Sequence, residues 1–157
     1  MPDIALHPLT EATLPALLAA AVAHADPLEV MPPVAGQPGW TAERRAAFLA
    51  FHRARGLAAE PVELTFVVLE QAAVVGAARL RPTGAGEFET GIWLGRGARG
   101  RGVGRAVVAL LRAEALRAGA RRMVATTTPE NAAARALMDG ASVRVDGTDV
   151  HGTWRLR

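Results

Sequence analysis

The sequence contains no cysteine, no lysine and no tyrosine, and only 4% of its residues are aromatic. The absence of cysteine excludes disulfide frameworks, thiolate metal sites and cysteine nucleophiles. The 18 basic residues are all arginine, and 15 acidic residues leave a net charge of only +3. This near balance and the scarcity of aromatic rings argue against a nucleic-acid-binding protein, so we expect no nucleic acid as a partner.

Long hydrophobic runs are also missing. No stretch reaches the roughly 18 apolar residues that a membrane-spanning helix needs. Residues 14–25 are apolar, but no basic side chain precedes them and the first one is Arg44. A secretory signal begins with positive charge. We therefore expect no secretion signal, no association with membranes and a cytoplasmic location.

The 157 residues, 50% of them hydrophobic, predict one folded domain covering residues 1–157. Helices are predicted over residues 13–24, 42–55 with Thr41 as N-cap, 104–118 and 131–138, and a loop is expected over residues 26–40. Strands are predicted over residues 4–6, 64–69, 73–80, 88–94, 122–127, 143–145 and 153–156. The second and third strands form a hairpin through Glu70 and Gln71. Antiparallel hairpins together with one crossover unit indicate an α+β fold.

A loop rich in glycine and arginine joins the strand over residues 88–94 to the longest apolar helix pattern. Glycines allow backbone N–H groups to approach a phosphate, and a helix N-terminus adds partial positive charge at the same place. Arg99, Arg101 and Arg105 add cations. This arrangement is typical of an anion-binding site.

Three patterns compete for this loop. Gly95, Gly97 and Gly100 satisfy the dinucleotide pattern G-x-G-x-x-G, but the helix does not start there, and the acidic residue about twenty positions later lies inside a helix. A phosphate-binding Walker loop requires lysine, which the chain lacks. The pattern R-x-x-G-x-G, formed by Arg99, Gly102 and Gly104 between a strand and a helix, fits.

At these residues the chain resembles the GCN5-related N-acetyltransferase (GNAT) superfamily, whose acyl-CoA pyrophosphate loop has the pattern Q/R-x-x-G-x-G/A. Residues 91–94 before the loop, 128–134 after it and 6–12 near the start extend the resemblance to nearly the whole chain. They look like the bacterial-type branch of ribosomal-protein N-terminal alanine acetyltransferases, RimJ/RimL-like. Residues 24–60 resemble the family least.

The resemblance implies a three-layer α-β-α fold with a central mixed, mostly antiparallel sheet that is partly splayed. It also implies an N-acetyltransferase that uses acetyl-CoA as co-substrate and a primary amine as acceptor. The acceptor is either a protein N-terminus or a small-molecule amine. Members of the superfamily are often dimers, so a homodimer is expected.

The resemblance further implies which residues bind acetyl-CoA. The backbone of Ile92, Trp93 and Leu94 would contact the pantetheine and the acetyl group. The loop Arg99, Gly100, Arg101, Gly102, Val103 and Gly104 would hold the pyrophosphate. Asn131 has two interpretations, as the N-cap of a helix and as a polar contact to the pantetheine.

An amine must lose a proton before it attacks a thioester. Glu89 is the candidate general base, because its position two residues before Gly91 matches a glutamate often found in the branch that the chain resembles. On an extended strand it shares a face with Trp93, which directs it to a cleft or to solvent, so an ordinary solvated carboxylate remains the alternative. The family often uses a tyrosine as general acid, and here Met138 stands near its expected position. Ser142 or water would then assist the leaving thiolate.

Most of the remaining candidates lie in residues 24–60, the variable region that in this superfamily lies over the acceptor site. Of Trp40, Phe48 and Phe51, two are expected in the core, and His52 is expected on a helix surface. The four histidines lack metal-ligand spacing, so no metal is expected. The acidic residues Asp26, Glu29, Glu43 and Glu60 are weakly compatible with an amine acceptor. Because the tyrosine is missing, a non-catalytic acyl-CoA-binding module is the alternative function.

Overall fold

The fold is built on one seven-stranded sheet, seen in a computed structural model that describes residues 3–157. The first two residues of the expected 1–157 domain lie outside this range. The strands are β1 (Ile4–Pro8), β2 (Leu64–Glu70), β3 (Ala73–Gly84), β4 (Glu87–Leu94), β5 (Arg122–Thr127), β6 (Ser142–Asp146) and β7 (Asp149–Arg155). Their order in the sheet is β1-β2-β3-β4-β5-β7-β6. All neighbouring pairs are antiparallel except β4 and β5, which are parallel.

Helices cover both faces of the sheet. They are α1 (Leu14–His24), α2 (Pro27–Val30), α3 (Ala42–Gly56), α4 (Val103–Arg117) and α5 (Ala132–Ala136). Alternation along β2 separates the two cores: Val67 packs with Leu17 of α1 and Phe48 of α3, whereas Val68 on the opposite face packs with Leu111 of α4. The expected three-layer α-β-α architecture with a mostly antiparallel sheet is therefore confirmed.

The parallel strands β4 and β5 separate soon after they begin. Only three residue pairs join them, Glu87 with Arg122, Phe88 with Met123 and Glu89 with Val124. Beyond these pairs β4 continues to Leu94 and stays paired with β3 on its other side. The backbone groups of residues 90–94 that face β5 are therefore not used by β5. This gap is the splay that the resemblance implied.

Most elements lie where the sequence placed them, and the differences concern element ends, one added helix and one turn. The loop expected over residues 26–40 contains α2, whose Asp26 and Glu29 form a capping box with Pro27 in the first turn. Strand β7 begins at Asp149 because it pairs with all of β6, and α5 covers only part of the expected residues 131–138. The β2–β3 turn is made by Gln71 and Ala72, both with positive φ.

In the described part of the chain, no helix is both long enough and apolar enough to cross a bilayer.

Candidate active site

The gap between β4 and β5 is the entrance to a cleft of about 230 Å³, called here the β4–β5 cleft. Helix α4 and strand β7 close its base with Val108 and Trp154, both buried. The other lining residues are Arg79, Thr90, Gly91, Ile92, Ala125, Thr126, Thr127, Asn131, Ala134, Leu137 and Met138. The cleft thus lies beside unpaired strand backbone and has both apolar and polar side chains in its lining.

The glycine and arginine loop leads from β4 to α4 and brings free amide groups to one place. Gly100 and Gly102 have φ of 75° and 83°, a left-handed conformation that favours glycine. No atom lies within 4 Å of a Cβ built at either position. Gly102 is the N-cap of α4 and offers no side-chain cap, so the first amides of the helix have no partner from that residue. This is the arrangement that binds phosphate at a helix N-terminus.

Gly104, the third glycine of the motif, has a packing role. A Cβ at this position would lie 2.8 Å from Cδ2 of Leu137, which lines the β4–β5 cleft. Glycine therefore lets α4 and the segment after α5 approach each other closely. This contact is an additional reason for glycine at that position besides the predicted pyrophosphate contact.

The loop arginines are paired with acidic side chains from other elements. Arg99 donates to Oε2 of Glu29 at 2.8 Å, and its Nε donates to the Leu94 carbonyl. Arg101 makes two hydrogen bonds to Glu70, at 2.8 and 2.7 Å. These bonds hold the pKa of the Glu70 carboxyl below its usual value. A phosphate at this loop would compete with Glu29 and Glu70 for the same guanidinium groups.

Glu89 accepts hydrogen bonds from two arginines of β3. Arg79 and Arg81 both donate to its Oε1, at 3.2 and 3.1 Å. Burial raises the pKa of Glu89, but the hydrogen bonds from Arg79 and then Arg81 lower it by more, so it lies below the ordinary 4.5. Glu89 is therefore ionised at neutral pH. Its role as general base stays a prediction.

Arg79 and Arg81 were not expected at this site from the sequence, although the register of the β3–β4 hairpin places them beside Glu89. Arg81 lies directly opposite Glu89, and Arg79 lies opposite Gly91. The missing side chain at Gly91 leaves room for Arg79, whose Nε lies 2.7 Å from where a Cβ would be. The guanidinium of Arg79 therefore covers β4 where the strand begins to separate from β5.

A second cavity, of about 340 Å³, adjoins the same part of β4 and is called here the α3 pocket. Its lining is Leu28, Glu29, Val30, Met31, Pro32, Phe51, His52, Glu63, Thr65, Ala77, Ala78, Arg79, Gly91, Ile92 and Trp93. It shares Arg79, Gly91 and Ile92 with the β4–β5 cleft. The two cavities therefore meet at the middle of β4.

The expectation that His52 lies on a helix surface is wrong, because the side chain is only 5% exposed. His52 follows the buried Phe48 by one helical turn, so both are on the face of α3 that packs onto the sheet. Burial lowers the pKa of His52 to about 4. The imidazole is therefore neutral at pH 7, inside the wall of the α3 pocket.

Asn131 and Ser142 occupy different surroundings. The Oδ1 atom of Asn131 accepts a hydrogen bond from the Ala134 N–H at 3.0 Å, so the residue caps α5 while it also lines the β4–β5 cleft. Ser142 is the exposed first residue of β6 and is not part of that lining. The buried Met138 stands in the cleft wall. The predicted contact of Asn131 and the predicted catalytic role of Ser142 remain untested.

Metal-ligating side chains do not cluster in the described chain: over residues 3–157 no group of three or more His, Cys, Asp or Glu could hold an ion. The expectation that the protein uses no metal stays a prediction.

This combination of splayed strands, glycine-rich loop and following helix matches a known family. The family model for the acetyltransferase (GNAT) domain matches residues 3–141. The chain belongs to this family, as the resemblance in its sequence indicated. No curated protein sequence gives a significant match.

Solved structures with the same fold include three that were determined with coenzyme A or a derivative. RimJ of Mycobacterium smegmatis, in complex with CoA-disulfide, is 21% identical with a TM-score of 0.74, over 97% of this chain and 81% of that chain. RimL, a ribosomal alpha-N-protein acetyltransferase in complex with coenzyme A, is 18% identical with a TM-score of 0.68, over 98% and 94%. The yncA protein of Salmonella typhimurium, with its cofactor acetyl-CoA, is 22% identical with a TM-score of 0.64, over 98% and 94%.

Proposed function

We propose that this acetyltransferase moves the acetyl group of acetyl-CoA to a primary amine, by direct attack of the amine on the thioester. The observation that supports this best is that the β4–β5 cleft and the α3 pocket meet at Gly91 and Ile92. A donor in the cleft and an acceptor in the pocket would touch there. The acceptor is a protein N-terminus or a small-molecule amine.

The residues around the cleft fit the donor. Backbone groups of Ile92 to Leu94 that face β5 are unpaired by that strand and would bind the pantetheine arm and the acetyl carbonyl. Amides of the loop from Arg99 to Gly104, with the Arg99 and Arg101 side chains, would hold the pyrophosphate. When bound, acetyl-CoA supplies the activated thioester. Backbone donors aimed at its oxygen would stabilise the negative charge that develops during attack.

Glu89 is our candidate for the proton acceptor. An amine is mostly protonated at neutral pH and needs to lose a proton before it can attack. Glu89 is ionised there and half-buried, but its lowered pKa makes it a weak base. Glu89 lines neither cavity, whereas Arg79, which donates to it, lines both, so a water molecule would relay the proton from the amine to Glu89.

The leaving thiolate needs little assistance. A thiol has a pKa of about 8.5, so its anion is a tolerable leaving group near neutral pH. Tyrosine is absent from the chain, and the thioether of Met138 in the cleft wall has no proton to donate. Water would protonate the thiolate. Ser142, the other candidate, lies outside the cleft lining and would act through such a water molecule.

A non-catalytic acyl-CoA-binding module is the second candidate. Two observations favour it: no tyrosine is available as an acid, and Glu89 is held by two arginines. Such a module would bind acetyl-CoA at the loop without releasing coenzyme A when an amine is added.

The test is release of free coenzyme A, followed with a thiol reagent, from acetyl-CoA mixed with a panel of amines and N-terminal peptides. The protein contains no cysteine and gives no background. We expect acceptor-dependent release, and Glu89→Gln should lower kcat roughly a hundredfold or more while acetyl-CoA binding is unchanged.

Glu87→Gln is the matched control, because Glu87 lies on the same strand and pairs with Arg122 instead. If calorimetry shows tight binding of acetyl-CoA but no amine causes release of coenzyme A, the binding module is favoured. Absence of both binding and release would contradict the whole assignment.

A further inference from the structure

The α3 pocket has a polar wall formed by Glu63, His52 and Thr65. The exposed fractions of these residues are 4%, 5% and 7%, so all three are buried. Most of the remaining lining is apolar, including Leu28, Phe51 and residues 91–93. Burying a carboxylate is costly unless it is paired and hydrogen-bonded.

Glu63 uses only one of its two carboxylate oxygens within the protein. Its Oε1 accepts a hydrogen bond from Nε of Arg55 at 2.8 Å. Oε2 accepts no hydrogen bond from any residue between 3 and 157. An ionised carboxylate can accept about four hydrogen bonds. The Arg55 pair therefore fixes the carboxylate in the pocket wall and leaves one oxygen for a donor that enters the pocket.

His52 and Thr65 also hold polar atoms without partners. Nε2 of His52 and Oγ1 of Thr65 are both buried and lack a hydrogen-bond partner in the described chain. Buried polar groups are almost always satisfied, so each exception requires an explanation, such as a water molecule or an ion. Because His52 is neutral at pH 7, it adds no positive charge beside Glu63.

The distance from this polar wall to the meeting point of the two cavities follows from the register of the sheet. Thr65 is paired with Arg79, and Arg79 is paired with Gly91, so these three residues form one row across the same face. Neighbouring strands lie about 4.8 Å apart, which places Thr65 about 10 Å from Gly91. Glu63 lies two residues before Thr65 and lines the same pocket.

We propose that the α3 pocket binds an acceptor with two cationic groups joined by an apolar chain, a diamine. Its far ammonium donates to Oε2 of Glu63 while its other nitrogen reaches the acetyl group at Gly91 and Ile92. The apolar walls contact the methylene chain. This inference rests on the proposed N-acetyltransferase activity.

The experiment compares diamines with monoamines in which a methyl group replaces the far ammonium. The probes are 1,5-diaminopentane to 1,8-diaminooctane, each with its n-alkylamine counterpart. A hydrogen bond to a charged group corresponds to roughly tenfold to hundredfold in affinity, so diamines should have kcat/KM values higher by that factor. Glu63→Gln, which keeps an oxygen for Arg55, should remove this preference. It should lower kcat/KM for the monoamines far less than for the diamines and leave the KM for acetyl-CoA unchanged.

Glu11→Gln is the control. Glu11 pairs with Arg53 of α3, the helix that also carries Arg55, but Glu11 is exposed and lies outside the pocket. A purely structural role of Glu63 would make diamines and monoamines lose activity equally, and that result overturns the proposal, as does a wild-type protein without diamine preference. Calorimetric binding of 1,8-diaminooctane to the complex with coenzyme A gives an answer independent of turnover. If the wild-type complex binds 1,8-diaminooctane and the Glu63→Gln complex does not, the inference is supported. If the wild-type complex does not bind it, the inference is refuted. Absence of turnover with every amine contradicts the proposed function instead.

Discussion

The burial of His52 predicts that the stability of the protein falls between pH 7 and pH 5. In the unfolded chain a histidine has a pKa near 6.5, whereas burial lowers the pKa of His52 to about 4 in the folded protein. Below pH 6.5 the unfolded chain therefore takes up a proton that the folded chain does not bind until about pH 4. Because the unfolded state binds more protons, the free energy of unfolding decreases as the pH falls through this interval.

The magnitude follows from the two pKa values of His52. One pKa unit corresponds to 1.36 kcal/mol, so the full effect, reached below pH 4, is about 3 kcal/mol. Between pH 7 and pH 5 the linkage gives a loss of about 2 kcal/mol. The carboxylates Glu29, Glu70 and Glu89 have pKa values below 4.5 and lose their contribution only at lower pH. The interval from pH 7 to pH 5 therefore separates the effect of His52 from the effects of these three carboxylates.

The assay is urea unfolding followed by tryptophan fluorescence at pH 7, 6 and 5. We compare the wild-type protein with His52→Gln and with His7→Gln, a control at an exposed position on β1. The wild type and the control should both lose about 2 kcal/mol across this range, and His52→Gln should lose much less. Equal losses in all three proteins would refute the reasoning, because the proton uptake would then come from another group.

Two further predictions concern the loop. Glu70→Gln removes the acid that competes for Arg101, so acetyl-CoA binding measured by calorimetry at low salt should tighten, by roughly twofold to fivefold for a partly exposed pair. Unchanged or weaker binding would contradict the competition. Gly102→Ala places a side chain at φ 83° without a steric contact, and it should lower the free energy of unfolding by about 1 kcal/mol. Gly97 is equally open but has no positive φ, so Gly97→Ala should leave the free energy of unfolding nearly unchanged. Equal effects of the two substitutions would show that the conformation of Gly102 is not strained for alanine.

The position of the cleft could be predicted because local sequence determines it. The strand ending at Leu94, the left-handed Gly100 and Gly102, and the apolar face of α4 are encoded by neighbouring residues. The motif in the loop shows the resemblance to the family, and that resemblance implies the splay of β4 and β5. The strand, the glycine-rich loop and the helix after it were expected from the sequence, whereas the left-handed conformation of Gly100 and Gly102 was not.

The polar wall of the α3 pocket could not be predicted because it depends on contacts between distant parts of the chain. A glutamate is exposed in most proteins, so Glu63 gave no signal. It becomes buried because α3 packs over β2 and brings Arg55 to its carboxylate. Similarly, the helical pattern of α3 has several apolar residues, and only the packing of Phe48 against α1 and the sheet decides that His52 faces inward. The pairing of Arg99 with Glu29 joins residues 70 positions apart. Sequence patterns thus locate the backbone that would bind acetyl-CoA, whereas the side chains that would select the acceptor are brought together only by the tertiary fold.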